Sequence, residues 1–251
     1  ETHDATTIEQ HFYAVANDDA RFAALKQLLL ATRPTTSVVF CNTKRETQAV
    51  ADSLVDAGFS AVALHGDLEQ KDRDRLLVLF ANQSASILVA TDVAARGLDI
   101  AQLDAVFNYQ IARELEVHVH RVGRTGRAGA SGIACTLVTP QEQYRLERLA
   151  ELLGEPLITE PLPKASDSTP FEPPMATLQL AGGKKDKLRP GDILGALTSE
   201  GGLRGDQVGK IKVLARSAYV AVERGAVQRA QAKLERDKLK GRAFRVRRIR
   251  H

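Results

Sequence analysis

Short apolar runs alternate with helical stretches through the first 155 residues, and this alternation limits the folds open to the chain. Continuous apolar runs of this length are typical of strands that are buried on both faces of a sheet. The predicted strands are Ser37–Cys41, Ser60–Leu64, Ser86–Ala90, Asp104–Tyr109 and Gly132–Val138. The predicted helices are Asp18–Ala31, Lys44–Ala57, Glu69–Ala81, Glu114–Val122 and Gln141–Leu153. This order predicts an α/β domain with a mostly parallel sheet covered by helices.

Charge divides the chain into two parts. The net charge of the 251 residues is +4, but residues 1–163 carry −7 and residues 164–251 carry +11. A proline-rich stretch lies at the division and is typical of a linker. We therefore predict a domain over 1–155, a linker over 156–174 and a smaller domain over 175–251. The strong positive charge of the smaller domain indicates a polyanionic partner.

The smaller domain shows a second pattern of elements. Its predicted strands and helices are Ala176–Leu180 (strand), Gly191–Ser199 (helix), Val208–Leu214 (strand), Ala218–Glu223 (strand), Ala226–Arg236 (helix) and Arg242–Ile249 (strand). The order βαββαβ is that of an α+β domain like the RNA-recognition motif.

Strand alternation assigns the two faces of this smaller sheet. Side chains suited to RNA fall on the open face, because cations attract phosphates and an aromatic ring stacks on a base. They are Lys210, Lys212, Tyr219, Arg245 and Arg247, with Thr177 and Gln179 beside them. Only one aromatic residue is present, so we expect binding to depend also on the basic loop 182–189. Its cations are Lys184, Lys185, Lys187 and Arg189, and its glycines would let the backbone approach a phosphate.

Composition argues against several other classes. The chain has no apolar stretch of membrane-spanning length and no secretory signal. Its two cysteines, Cys41 and Cys135, fall in predicted buried strands and show no metal or redox spacing. We therefore expect a cytoplasmic protein that has no metal site of its own and no membrane partner.

Two motifs indicate chemistry in the larger domain. His120 to Gly129 reads HRVGRTGRAG, which spaces Arg121, Arg124 and Arg127 three residues apart between glycines. Arginine carries a permanent charge and a planar set of donors that matches phosphate oxygens. Upstream, ILVATDVAARGLDI joins a buried strand to a polar segment. Ligands of α/β sheets bind beyond such strand ends.

These two segments resemble motifs VI and V of superfamily 2 helicases in the DEAD-box form. VVFCNTK resembles motif IV, and HGDLEQKDR resembles the segment that carries the family's glutamine and arginine pair. The motifs stand in the family's order and spacing over roughly residues 7 to 155. The resemblance implies that the larger domain is the second RecA-like domain of an RNA helicase that uses ATP.

The resemblance also implies roles for single residues. Arg124 and Arg127 match the arginine fingers that neutralise charge on the transferring phosphoryl group, and Asp99, after Gly97, matches the contact to the ATP ribose. Arg96 matches a residue that couples the two sites. His120 and Arg121 match residues that link motif VI to the partner domain. Residues near the RNA sugar-phosphate backbone are matched by Asn42, Gly66, Gln70, Arg73 and Thr91.

The smaller domain resembles the C-terminal domain of DbpA-type bacterial DEAD-box helicases, through GGKKDKLRPGDILGALTSEGGL, VGKIKV and AYVAV. The resemblance implies an RNA-dependent ATPase that acts in assembly of the large ribosomal subunit. It further implies that this domain tethers the enzyme to a hairpin of the large-subunit rRNA while the RecA-like pair opens an adjacent duplex.

The chain also departs from the family. The acidic residue and proline expected after Asn108-Tyr109 are absent, and Gln110 follows instead. There is no phosphate loop, DEAD tetrapeptide or SAT motif, and the first residue is Glu1. We therefore expect a C-terminal fragment that is inactive alone. We also expect the protein to be a monomer. The N-terminal RecA-like domain of the same protein would supply Mg²⁺ for ATP.

Other interpretations stay open at this point. The whole could be another superfamily 2 translocase, a non-catalytic RNA-binding adaptor or a protein-binding module. The basic runs could be solvated surface, as could the helix face that carries Gln70 and Arg73. Asp99 could be a local cap, His65 and His118 could be structural, and Tyr219 could have no ligand.

Overall fold

A parallel sheet of seven strands forms the centre of the first part of the chain. The computed structural model describes residues 8–96, 103–126 and 132–250. The strands are β1 (Ile8–Ala14), β2 (Ser37–Phe40), β3 (Ala61–Leu64), β4 (Ile87–Ala90), β5 (Ala105–Asn108), β6 (Gly132–Val138) and β7 (Thr159–Glu160). Their order across the sheet is β3-β4-β2-β5-β6-β1-β7, and every pair is parallel. The predicted parallel α/β sheet is confirmed.

Six α-helices alternate with these strands along the described part of the chain. They are α1 (Arg21–Thr32), α2 (Lys44–Asp56), α3 (Gln70–Ala81), α4 (Asp92–Ala95), α5 (Leu115–Val122) and α6 (Gln143–Leu153). Val39, Val89 and Phe107 on the central strands are at most 1% exposed. Burial of these apolar side chains is the main stabilising contribution to such a core. The predicted burial of Cys41 and Cys135 is confirmed.

The chain divides into two units, one comprising Glu1–Arg73 with Ser86–Glu172 and the other Asp74–Ala85 with Pro173–His251. The proline-rich stretch 156–174, predicted as a linker, contributes β7 to the first unit. Phe12 and Thr159 are register partners in the β1–β7 pair. The Gln27 side chain donates to the Pro163 carbonyl at 2.8 Å. Thus most of this stretch lies on the first unit.

The second unit contains an antiparallel sheet of four strands and two α-helices. Its elements are β8 (Met175–Leu180), α7 (Pro190–Thr198), β9 (Val208–Val213), β10 (Ala218–Glu223), α8 (Val227–Arg236) and β11 (Val246–Ile249). The order across the sheet is β11-β8-β10-β9. Leu178, Val220 and Val222 are fully buried and belong to one core cluster with residues of the helices. The smaller α+β domain is therefore confirmed, although its last strand is shorter than predicted.

No helix in the described ranges combines the length and apolarity that a membrane crossing requires.

Candidate nucleotide and nucleic-acid sites

Three predicted RNA contacts of the first unit lie at the ends of neighbouring strands. Gly66 lies two residues beyond β3, Thr91 directly follows β4, and Asn42 lies two residues beyond β2. Since β3, β4 and β2 are adjacent and parallel, their carboxyl ends share one edge of the sheet. The Thr91 hydroxyl also accepts a hydrogen bond from the Ala94 backbone at 3.3 Å, which caps α4. The structure therefore brings these three residues together.

The other two predicted contacts begin helix α3. Gln70 is its first residue and is exposed. Arg73 is half-buried and donates to the Ala94 carbonyl at 3.1 Å. Arg73 thus joins α3 to the segment that follows β4, so a purely solvated helix face is wrong for this residue.

Sequence reasoning missed Lys44 as a member of this edge. Its ammonium lies 3.1 Å from the Asp67 carboxylate, beside Gly66. Lys44 is the first residue of α2, and the Thr43 hydroxyl caps that helix by accepting from the Glu46 backbone. Cations near a helix N-terminus are electrostatically unfavourable. A lysine at the first position of α2 therefore could have indicated from sequence that this residue belongs to a functional site.

Arg121 lies buried at the centre of this edge, with 2% of its surface exposed. Its Nε and Nη2 donate to the two carboxylate oxygens of Asp92 at 2.6 and 2.7 Å. Nη2 also donates to Asn42 Oδ1 at 2.8 Å, and Nη1 donates to the Gln110 carbonyl at 3.0 Å. The guanidinium lies over the Phe40 ring, 5.3 Å from its centroid.

The predicted catalytic role of Arg121 and its predicted link to the partner domain stay predictions, because the described hydrogen bonds of its guanidinium go to residues of the first unit. Its donors are directed inward because Asp92, the first residue of α4, accepts from two of them. A buried guanidinium requires such a charged partner and further acceptors. Arg121 is a positioning residue that joins the segments after β2, β4 and β5 to helix α5.

Gln110 stands where the family pattern leads one to expect an acidic residue. The Asn42 backbone amide donates to Gln110 Oε1 at 3.0 Å. The amide oxygen thus serves as the acceptor that a carboxylate would provide. Gln110 thus connects the segments after β2 and β5.

Arg124 follows α5 on a turn that is held at both ends. Its backbone amide donates to the Arg121 carbonyl at 3.2 Å. The next residue, Thr125, is buried and donates to the Leu103 carbonyl at 2.5 Å. Arg124 is half-buried and His120 is exposed. The other predicted nucleotide residues, Gly97, Asp99 and Arg127, lie outside the described residues.

Two histidines of the first unit are structural, which confirms the plainer interpretation for both. His65 is buried, and its Nε2 is 2.9 Å from Gln48 Oε1. His118 is 1% exposed, its Nε2 is 3.1 Å from Gln10 Oε1, and its ring stacks on Phe12. Its Nδ1 has no hydrogen-bond partner among the described residues.

Burial, together with the nearby positive charge of Arg121, lowers the pKa of His118 to about 4. Because this folded-state value lies below the usual 6.5, the unfolded chain binds the proton more tightly. We therefore expect the folding free energy from this group to be complete above pH 6.5 and to be lost as the pH falls toward 4. The loss at pH 4.5 should be about 2–3 kcal/mol.

Urea unfolding followed by circular dichroism at pH 7 and pH 4.5 measures this loss. The His118→Phe variant should lose less stability between the two pH values than the wild-type chain, since phenylalanine does not titrate. A pH dependence that is identical in both proteins would show that His118 makes no such contribution.

The basic loop of the second unit is packed more tightly than predicted. Gly182 and Gly183 are buried. A Cβ on Gly182 would lie 2.2 Å from the Phe244 ring, and one on Gly183 would lie 2.1 Å from the Leu214 carbonyl oxygen. These glycines therefore allow close packing, and the prediction that they admit a phosphate to the backbone is wrong.

The cations of this loop line an open depression of about 680 Å³. Its lining includes Lys184, Lys185, Lys187 and Arg189, as expected, together with Lys240 and Arg242, which sequence reasoning missed. Asp186 is the one acidic residue among the described lining residues. The depression is thus strongly positive and suits a polyanion.

A polar row crosses the sheet of the second unit. Lys212, Tyr219, Gln179 and Arg247 are successive register partners on β9, β10, β8 and β11. Gln179 donates to the Tyr219 hydroxyl at 3.2 Å and accepts from Arg247 Nε at 2.9 Å. Lys210 and Arg245 are exposed as expected. The row presents one aromatic ring between polar and cationic groups.

Thr177 differs from the prediction that it lies on the open face. It is fully buried. Its hydroxyl accepts from Asn82 at 3.1 Å and shares a hydrogen bond with Ser84 at 2.6 Å. Both partners belong to the 74–85 segment of the same unit.

No cluster of three or more His, Cys, Asp or Glu residues that could hold a metal occurs in the part of the chain that the structure describes.

Comparison with known proteins matches both units. The family described as "Helicase conserved C-terminal domain" matches residues 20–129, and the "DbpA RNA binding domain" matches residues 177–248. The chain is 49% identical to the ATP-dependent RNA helicase DbpA of Escherichia coli (strain K12) over 240 residues. That match covers 96% of this chain and 52% of the relative. The chain thus spans about half the length of this relative.

Solved structures agree with this assignment. A DEAD-box protein from the hyperthermophile Methanococcus jannaschii matches with a TM-score of 0.57 and 38% identity, over 61% of this chain and 42% of that one. The E. coli DEAD-box protein SrmB, solved bound to the regulator of ribonuclease activity A, matches with a TM-score of 0.58 and 31% identity. That match covers 64% of this chain and 98% of the SrmB chain. The chain therefore belongs to the DEAD-box RNA helicase family, as the C-terminal part of a DbpA-type member.

Proposed function

We propose that this chain is the C-terminal portion of an ATP-dependent RNA helicase that acts on large-subunit rRNA in assembly of the 50S subunit. The observation that carries the proposal is the pairing of two features in one chain. The helicase-type sheet edge holds Gly66, Thr91 and Asn42 at adjacent strand ends, and the second unit bears a cationic depression. The rRNA target rests on the resemblance to DbpA-type domains.

The first unit would contribute to ATP hydrolysis through positive charge. Arg124, on its anchored turn, and Arg127 would contact the phosphates, and Asp99, after Gly97, would contact the ribose. The chemistry of these groups fits a nucleoside triphosphate, since a guanidinium pairs with phosphate and a carboxylate with ribose hydroxyls. Bound ATP supplies the free energy of phosphoryl transfer, and its Mg²⁺ would be held by the N-terminal RecA-like domain of the same protein.

The RNA contacts would be divided between the units. The edge with Asn42, Gly66, Gln70, Arg73 and Thr91 would hold one strand by its sugar-phosphate backbone. The second unit would bind an rRNA hairpin and keep the enzyme near the duplex to be opened. We propose that the protein is a cytoplasmic monomer. We also propose that this fragment has no ATPase activity in the absence of the N-terminal domain.

The first test is titration of this chain with a labelled large-subunit rRNA hairpin and with a scrambled hairpin across a salt series. Tight, hairpin-selective binding supports the proposal. Equal, weak binding to both RNAs would leave only a generic DEAD-box C-terminal half with a nonspecific basic domain. Affinity that does not change with salt would point away from nucleic acid, because phosphate contacts release counterions.

Replacing Lys184, Lys185 and Lys187 together with glutamine should weaken hairpin binding by roughly 10- to 100-fold and reduce the salt slope by up to about 3. The physical reason is that each lysine lost removes one phosphate contact. A matched triple variant uses exposed cations of the first unit, Arg113, Arg148 and Lys164, and should bind as the wild type does. Unchanged affinity in the loop variant would show that RNA binds to a different surface of the protein.

A further inference from the structure

A tight turn forms a second wall of the cationic depression. Leu239 and Arg242 exchange backbone hydrogen bonds of 2.8 and 3.0 Å, so Lys240 and Gly241 are the two central residues of a hairpin turn. Lys240 and Arg242 from this turn line the same depression as the 184–189 loop. The depression therefore has cations on two separate segments of chain.

Two aspartates tie these walls together. Asp186 accepts from the Gly183 backbone at 3.0 Å and pairs with Arg242 at 2.8 Å. Asp192 accepts from the Arg189 backbone at 2.8 Å and lies 3.6 Å from the Lys240 ammonium. Each carboxylate thus accepts from a nearby backbone amide and also pairs with a cation of the 239–242 turn. This arrangement holds Lys240 and Arg242 in place before any ligand arrives, which reduces the entropy lost on binding.

The remaining positive charge exceeds what the aspartates neutralise. Six cationic residues and one acidic residue line the depression within the described chain. No carboxylate of the described residues lies within salt-bridge distance of Lys184, Lys185, Lys187 or Arg189. A site with this excess of fixed positive charge suits a chain of phosphates.

The backbone at two of these lysines is unfavourable. Lys187 has φ 61° and Lys240 has φ 52°, and they are two of four non-glycine residues with positive φ in the described chain. Gly241 follows Lys240 with φ 75°, so the turn has the type I′ signs. Its first central position is normally taken by asparagine, aspartate or glycine. The left-handed region costs an L-residue such as lysine roughly 1–2 kcal/mol.

We propose that Lys187 and Lys240 contact the phosphodiester backbone of RNA from opposite walls of this depression, and that they occupy strained positions because their ammonium groups bind it. This inference rests on the proposed RNA-binding function and adds the 239–242 turn to the binding surface. Observed strain at a ligand site is a recognised sign of function. The geometry predicts two opposite effects of replacing either lysine. The substitution should stabilise the fold, and it should weaken RNA binding.

The experiment compares Lys187→Asn, Lys240→Asn and Lys164→Asn in the whole chain, with hairpin RNA titrated across a salt series and with thermal unfolding. Asparagine tolerates the left-handed region, so the first two variants should raise Tm by about 2–5 °C. Each should also weaken RNA binding several-fold and lower the salt slope by about 1. The Lys240–Asp192 pair, half-exposed on the lysine side, is worth too little to reverse this gain.

Lys164→Asn removes the same charge from an exposed site of the first unit and should change neither quantity. Lys240→Arg keeps the charge in the strained turn and should bind with wild-type affinity. It also reports on binding if an asparagine variant folds poorly.

The outcomes separate this inference from the function on which it rests. Wild-type affinity in both asparagine variants, together with loss of binding in the Lys184, Lys185 and Lys187 triple variant, would overturn the two-walled site and leave the proposed function standing. Failure of the wild-type chain to bind the hairpin would overturn the proposed function itself. Preference for poly-glutamate over RNA would identify an acidic protein as the occupant, and a fall in Tm would refute the role of strain.

Discussion

Replacing Arg124 with alanine in the full-length helicase is expected to lower ATP turnover by about 10³-fold or more, as loss of an arginine finger does in comparable enzymes. The residue stands on a turn fixed by the Arg121 carbonyl on one side and by buried Thr125 on the other. Such anchoring fixes the backbone from which the proposed positive charge would act. Electrostatic catalysis gains most from charges that need no reorganisation at the moment of reaction. The defect should appear mainly in kcat.

Steady-state ATPase kinetics, together with hairpin titration of the same variant, test this expectation. Hairpin affinity should stay at the wild-type level, because the second unit carries the proposed tether. Arg148→Ala, at an exposed position of α6, controls for loss of an arginine and should retain both properties. Equal loss of turnover and hairpin affinity in the Arg124 variant would contradict the division of roles.

Replacing Arg121 with methionine should destabilise the first unit by about 3 kcal/mol or more, since it leaves Asp92 without its charged partner. The bidentate pair and the bonds to Asn42 and Gln110 are lost together. Lysine should not rescue the loss, because an ammonium cannot reproduce the planar set of donors. Urea unfolding of the whole chain measures the change.

A double variant makes this result specific. Asp92→Asn combined with Arg121→Met removes the uncompensated carboxylate, so it should recover part of the lost stability. Arg148→Met serves as the exposed control. A loss below about 0.5 kcal/mol for Arg121→Met would show that the buried network contributes little.

The central strands of the first unit could be predicted from sequence because their signal is local. β4 is a continuous apolar run, β2 and β5 each hold three successive apolar residues, and all three strands are fully buried. β1 was missed because Glu9, Gln10 and His11 interrupt its apolar pattern. Their partners are distant in sequence, since His11 pairs with Glu160 and Gln10 with His118.

The candidate site shows the same limit. The family pattern located Asn42, Gly66 and Thr91, and parallel topology then brought them to one edge. The inward direction of Arg121 depends on a carboxylate 29 residues earlier in the chain, which no local pattern reveals. Lys240 and Arg242 join the basic loop only through tertiary packing.

The edge strand β7 has a consequence for how the protein behaves in concentrated solution. An open sheet edge offers unpaired backbone groups to another chain, and proteins protect such edges with short strands and proline. β7 is two residues long, and Pro156, Pro161 and Pro163 flank it with backbone nitrogens that cannot donate. The same proline-rich stretch that reads as a linker therefore protects this edge of the sheet against aggregation by strand addition.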